Sequence, residues 1–292
     1  MSDLRRIVVH VSDSPRAREV ALWASSLADE HGAELSAVHA VEATPTAAYL
    51  TPEATTIATQ LGIDSDRGRI EQARVLVDEL GQYRARPLPF ESVLGDPLPT
   101  LLRHARGADL LVLGQHDPET PDGTGAGLAG RVLMGAGCPL LIVPHTDGHG
   151  GARPRAVRNV LVAWSDTRES ARALRDALPL LQRARHVELV RYVRGDDPVP
   201  SLEPLAQYLA AHGVQATCSL QRSREPSVGE RLLSPWTPDA PVAEALLSRA
   251  ADVDADLIVT GGYGHTRAWE LALGGVTRTL LQSMTVPVLM SH

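Results

Sequence analysis

Five glycines crowd one short stretch near the end of the chain, GGYGHTRAWELALGGVTRTLL at residues 261–281: Gly261, Gly262, Gly264, Gly274 and Gly275. Without a Cβ, glycine lets a ligand reach the peptide N–H, and amides at a helix start carry unpaired donors and a partial positive charge. Two clusters of bare backbone on either side of a nine-residue excursion are what a phosphate-bearing ligand needs. Taken singly, each glycine is explained equally by a tight turn or by close packing of a helix on a sheet. Val276 and Thr277 continue the amide row into a helical run whose apolar residues Val276, Leu280, Leu281 and Met284 share one face. The helix should therefore start near Gly274-Gly275 and pack on the sheet. His265, Arg267 and Arg278 stand beside the glycines as possible phosphate partners, although exposed arginines of this kind are usually only solvated. Tyr263 and Trp164 are rings that can stack on a base, with packing as their default role.

Other chemistries are excluded or left without support. The chain has no lysine, which removes a Walker lysine, a Schiff base and a Ser-Lys dyad. The first strand–helix turn of each half reads Ser12-Asp13-Ser14-Pro15 or Ser165-Asp166-Thr167, so the G-x-G-x-x-G of a dinucleotide oxidoreductase is absent from its place. Ser12 and Ser165 do not sit in a G-x-S-x-G elbow, and no histidine can be assigned to either as a base. Cys138 and Cys218 have no companion ligand at metal spacing, and His145 and His149 lack a carboxylate or thiol to complete a site. Hydrolysis of a bound nucleotide would fall to Asp166 and Arg267, unaccompanied by a metal motif. Catalysis is therefore not expected, and a role for magnesium is left open.

The elements that position these residues occur twice. Ala108-Asp109-Leu110-Leu111-Val112-Leu113-Gly114 returns as Ala255-Asp256-Leu257-Ile258-Val259-Thr260-Gly261, and Pro139-Leu140-Leu141-Ile142-Val143 returns as Pro287-Val288-Leu289-Met290-Ser291. The order also holds at the front, where Ile7-Val8-Val9-His10-Val11-Ser12-Asp13-Ser14 matches Val160-Leu161-Val162-Ala163-Trp164-Ser165-Asp166-Thr167. The chain is a tandem duplication with domains at 1–146 and 155–292, joined by a glycine-rich polar linker. Short apolar runs alternate with amphipathic stretches in each copy, the pattern of a parallel sheet covered on both faces by helices. The runs begin near residues 6, 34, 88, 109 and 139, and again near 157, 187, 215, 256 and 286. His31-Gly32 and His212-Gly213 mark left-handed helix ends. Residues 43–64 fit no period well, and residues 222–240 read as a loop insertion peculiar to the second copy.

A formal charge of -7 over 292 residues argues against nucleic acid or an anionic membrane as partner, and 43% hydrophobic residues suffice for packed cores. No long apolar run and no signal-like start are present, so a cytoplasmic protein is expected.

On the repeated strands and the spacing Gly261-x2-Gly264-x9-Gly274-Gly275, with Val276-Thr277 after it and Pro287-Val288-Leu289 closing the copy, the chain resembles the universal stress protein family in its tandem form. The resemblance implies an α/β fold of two five-stranded parallel sheets, each of strand order 3-2-1-4-5. It implies ATP or AMP as ligand, with phosphates on the glycine loop and adenine between the ends of strands one and two. It also implies pairing about a pseudo-two-fold through the last strands, copy one with copy two, with a homodimer possible beyond that. Three departures bear on function. Gly275 stands where the family prefers Ser or Thr, removing a hydrogen bond worth about 0.5–1.5 kcal/mol. The first copy reads Gly114-x2-Asp117-x9-Gly127-Leu128, and a carboxylate roughly 4 Å from a phosphate at an effective dielectric of about 20 repels by about 4 kcal/mol. The family's acid after strand one is replaced by Ser12 and Ser165, with Asp13 and Asp166 one place later. Asp166 serves either the adenosine or the following helix as its N-cap. The expected function is a stress-response protein whose second copy binds an adenine nucleotide as sensor or conformational ligand. A ligand-free interaction protein of the same fold is the alternative, and a slow ATP hydrolase a third reading.

Overall fold

The computed structural model describes residues 3–44, 51–119, 127–145, 156–193, 200–222, 240–262 and 275–292. The chain forms two compact units, Leu4–Ala136 and Gly137–His292, the latter joined by the first residues of the chain.

The first unit runs β1 (Arg6–His10), α1 (Ala17–His31), β2 (Glu34–Val41), α2 (Pro52–Tyr83), β3 (Phe90–Leu94), α3 (Pro97–Ala105), β4 (Leu110–Gly114) and α4 (Leu128–Gly135). Its strands lie in the order β3-β2-β1-β4, all parallel. The second unit holds β5 (Leu140–Val143), β6 (Asn159–Ala163), α5 (Arg168–Asp176), α6 (Leu178–Leu181), β7 (His186–Val193), α7 (Glu203–Ala211), β8 (Ala216–Arg222), α8 (Ala240–Asp252), β9 (Leu257–Gly261), α9 (Gly275–Ser283) and β10 (Val288–Ser291). Here the order is β10-β9-β6-β7-β8 in parallel, which numbered within the copy is 5-4-1-2-3. β5 adds to this unit antiparallel to β10, with Leu141 opposite Leu289. The expected α/β architecture and its strand order are those observed.

Central strands read as near-continuous apolar runs because helices cover both their faces. Ile7, Val8 and Val9 of β1, Leu111 and Val112 of β4, and Leu257, Ile258 and Val259 of β9 are fully buried. The aspartate of the repeated Ala-Asp-Leu motif has one job in both copies. Asp109 Oδ2 accepts from the amides of Arg5 and Arg6 at 2.7 and 2.9 Å, and Asp256 Oδ2 accepts from those of Arg158 and Asn159, both at 2.9 Å. Each acid thereby ties the start of the fourth strand to the start of the first. Gly32 and Gly213 adopt the expected left-handed conformation, with φ of 62° and 78°.

Residues 43–64 are where pattern reading fell short. Thr51 caps a helix whose first position is Pro52, its Oγ1 accepting from the Ala54 amide at 3.3 Å, and the helix runs unbroken to Tyr83. Its first half carries no apolar period, and polar side chains tie it to the turns beyond the strands: the Thr44 hydroxyl donates to Asp66 at 2.6 Å, and Arg69 reaches Asp13 after β1 and Glu42 after β2. Most of the suspected insertion, residues 223–239, lies outside the described residues; α8 follows directly.

Candidate functional site

In an open parallel sheet the ligand crevice lies beyond the carboxyl ends of the strands, where the strand order reverses. In the second copy this point falls between β6 and β9. Ala163 is in register with Thr260, so Ser165 and Asp166 leave the sheet beside Gly261 and Gly262.

Gly261 has a packing reason. A Cβ there would meet the Ser170 amide nitrogen at 2.5 Å and the Glu169 carbonyl carbon at 2.7 Å, so bare backbone is what lets the first turn of α5 lie against β9. Gly262 continues the β9–β10 ladder: its N–H donates to the Ser291 carbonyl at 2.8 Å, and its own carbonyl faces His292 Nδ1 at 3.2 Å. That amide is therefore withdrawn from any set of phosphate donors. Tyr263, Gly264, His265, Arg267 and Gly274 lie outside the described residues. α9 begins at Gly275, and its next residues Val276 and Thr277 lie in the first turn, where amides have no intrahelical acceptor. Thr277, Leu280 and Met284 are buried, while Arg278 is exposed.

At the β6 end, Ser165 is exposed but tied to α5. Its hydroxyl pairs with that of Ser170 at 2.7 Å, and its amide donates to the same oxygen at 3.3 Å. The helix cap is Thr167 rather than Asp166: Thr167 Oγ1 accepts from the Ser170 amide at 3.2 Å, with extended backbone at the cap. Asp166 is thus released from the capping role and is 63% exposed, its guanidinium neighbour Arg191 standing 3.8 Å away. Arg191 itself is largely covered, with 15% of its side chain exposed. Trp164 is half-buried, its amide donating to Val190 as the last rung of the β6–β7 pairing. Glu169 of α5 is buried, which acts to raise its pKa, yet the hydrogen bond from Arg168 and the charges of Arg168 and His292 hold it below the usual glutamate range.

The same place in the first copy is built differently. Asp13 Oδ1 faces Nε2 of the fully buried His39 at 3.0 Å, and Asp13 Oδ2 accepts from Arg69 Nε at 2.6 Å. His39 Nδ1 in turn meets the Ser92 hydroxyl of β3 at 2.9 Å. Arg69 also donates to Asp66 at 2.9 Å, to the Thr44 hydroxyl at 3.3 Å and to the Glu42 carbonyl at 2.9 Å. Burial pushes the Asp13 pKa up, but the hydrogen bonds from His39 and Arg69 and the Arg69 charge prevail and hold it below the ordinary 3.8. The Thr44 hydroxyl, opposed by burial and assisted by the Thr44 amide and Arg69, lowers Asp66 likewise. Ser92, His39 and Asp13 follow the succession of a hydrolytic triad. The serine, however, sits in mid-strand rather than at a strand–helix turn, and Arg69 already neutralises the acid. Asp117 folds back on its own loop, accepting from the Glu119 amide at 2.9 Å, and Gly127 begins α4 at φ 85°.

Sequence reasoning missed His39, Arg69 and Arg191. A signal for two of them was present: each is the sixth residue of a second strand, a lone polar residue in the apolar runs AVHAV and LVRYV, and each faces the acid after strand one. Arg69 reaches the crevice from a distant helix and left no such mark. Among the described residues no group of three His, Cys, Asp or Glu side chains is placed to hold a metal ion, and no helix is long and apolar enough to cross a membrane.

Comparison with known proteins agrees with this architecture. A universal stress protein of Mycobacterium tuberculosis H37Rv is 27% identical over 312 residues, covering 98% of this chain and 96% of the relative. The crystal structure of a universal stress protein from Archaeoglobus fulgidus DSM 4304 superposes with a TM-score of 0.66 at 14% identity, over 98% of this chain and 95% of that one. A protein from Pseudomonas aeruginosa UCBPP-PA14 gives 0.54 at 15% identity, over 99% and 93%. The sequence model of the Universal stress protein family matches residues 3–144 and again residues 156–292. With both strand orders and both crevices now in view, the chain belongs to the universal stress protein family, carrying two copies of its domain.

Proposed function

We propose that the second copy binds an adenine nucleotide, ATP or AMP, as a sensing or conformational ligand in a stress response, and that the first copy does not. The observation that supports this is the contrast between the two crevices. Asp13 is locked between a buried histidine and an arginine, whereas Asp166, at the same place in the repeat, is 63% exposed with one guanidinium 3.8 Å away. In this reading Asp166 accepts from the ribose hydroxyls. The phosphates lie at the start of α9, on the amides of Gly275, Val276 and Thr277. Gly264, Gly274, His265 and Arg267 complete the cradle, and Gly261 shapes it without donating. Ser165 and Thr167 hold the turn that presents Asp166.

Calorimetric titration of the purified chain with ATP and with AMP tests the proposal. One site per chain is expected, and Asp166→Asn weakens it about ten- to a hundred-fold, since a hydrogen bond to a charged acceptor is worth about 1.5–3 kcal/mol. Absence of binding heat at millimolar nucleotide, or two equal sites, refutes it. A specific observation favours the other reading, a ligand-free interaction protein: the Gly262 amide and the Ser165 hydroxyl are already satisfied within the protein. That reading predicts no heat with either nucleotide.

A further inference from the structure

The geometry points to a built-in occupant of the first copy's crevice: the guanidinium of Arg69 fills the space beyond β1 and β2, and with it the first half of α2 is held across that crevice as a latched lid. Three observations carry this. Arg69 uses all three of its nitrogens on partners from three places, Asp13 after β1, Glu42 and Thr44 after β2, and Asp66 on its own helix. The side chains involved are largely covered, Arg69 at 18% exposed, Asp13 at 20% and Asp66 at 13%. Between residues 54 and 72 of α2 no residue is buried, and apolar anchoring begins only at Ala73, Val77 and Leu80. The first turns of this helix are therefore held by charge-assisted hydrogen bonds and not by a hydrophobic seam.

This arrangement belongs to one copy. α7, the helix between second and third strands of the other copy, has nine residues against the 32 of α2, and the acid at the equivalent turn is open to solvent. A ligand entering the first copy would have to displace Arg69 from two carboxylates and a carbonyl. The lid also carries the exposed side chains of Ile57, Leu61 and Ile63, which would move with it on release.

Hydrogen exchange on the full chain, read by mass spectrometry, tests the latch. In Arg69→Met the amides of residues 54–70 should exchange roughly ten- to a hundred-fold faster than in the wild type, while residues 73–83 keep wild-type protection. Arg74→Met, which removes only a surface pair with Glu71, should alter neither segment. A water-soluble carbodiimide should label Asp13 faster in Arg69→Met than in the wild type. Unchanged exchange over 54–70, or equal labelling of Asp13, overturns the inference. Should Arg69→Met fail to fold, Asp66→Ala keeps the Arg69–Asp13 bond and removes the acceptor of Thr44; a several-fold rise confined to 54–70 supports the latch, and no rise overturns it.

Discussion

Alanine at position 261 should strain the second unit, and the size of the effect follows from which atoms stand in the way. The added methyl would lie 2.5 Å from the Ser170 nitrogen and 2.7 Å from the Glu169 carbonyl carbon, both backbone atoms in the first turn of α5. Contacts under 3 Å to backbone cannot be relieved by a rotamer change, so the helix must move off β9. That movement also disturbs the Thr167 cap and the Ser165–Ser170 pair. Overpacking of this kind costs about 1–3 kcal/mol, which speeds opening of the affected strands by roughly five- to 150-fold. The repeat supplies an internal control: at Gly114, the matching position, the methyl would meet only Val20 Cγ2, at 3.2 Å, and that side-chain tip can yield. Exchange of β6 and β9 amides in Gly261→Ala, set against β1 and β4 amides in Gly114→Ala, is the assay. If the two substitutions accelerate exchange equally, or Gly261→Ala leaves β6 and β9 unchanged, the packing account of Gly261 is wrong.

Two further outcomes follow from backbone and charge. Ala85 ends α2 at φ 51° with the Arg86 amide closing back on the Gly81 carbonyl at 3.0 Å, so Ala85→Gly should raise stability by about 0.5–1 kcal/mol in urea titration, the relief of left-handed strain exceeding the added chain entropy. Asp13 and Asp66 both have folded-state pKa values below the ordinary 3.8, so their contribution is complete above that value and disappears as pH falls through the lower folded values. Protection of residues 54–70, corrected for the intrinsic exchange rate, should therefore fall selectively below about pH 3.8, and in Asp66→Asn it should start lower and vary less. A wild-type profile with equal loss in residues 73–83 would contradict this.

Much of the fold was legible because the signals are local and repeated. Apolar strands, glycine stops and the twice-written Ala-Asp-Leu motif each depend on near neighbours along the chain, and the strand starts predicted at 34 and 139 lie within a residue of those observed. α2 escaped because its inner side is polar, and a hydrophobic period cannot reveal a helix held by Asp66 and Arg69. Of the two roles left open for Asp166, capping falls to its neighbour for a related reason: Asp166 and Thr167 are both good caps, and only the extended backbone at Thr167 chooses between them.

The division of labour between the glycines was likewise beyond reach of the sequence. Their spacing announced a loop of bare backbone after β9, but whether an amide is available depends on what lies across from it, and Ser291 of β10 takes that of Gly262. The sequence by itself determined that there are two copies of one parallel α/β unit, because periodicity and repetition are properties of order along the chain. The tertiary structure alone decided that one crevice is closed by Arg69, reaching across 56 residues to Asp13, while the matching acid of the other copy stays exposed. Hydrogen bonds and ion pairs fall off within a few ångströms, so their partners are set by where the folded chain brings distant residues together.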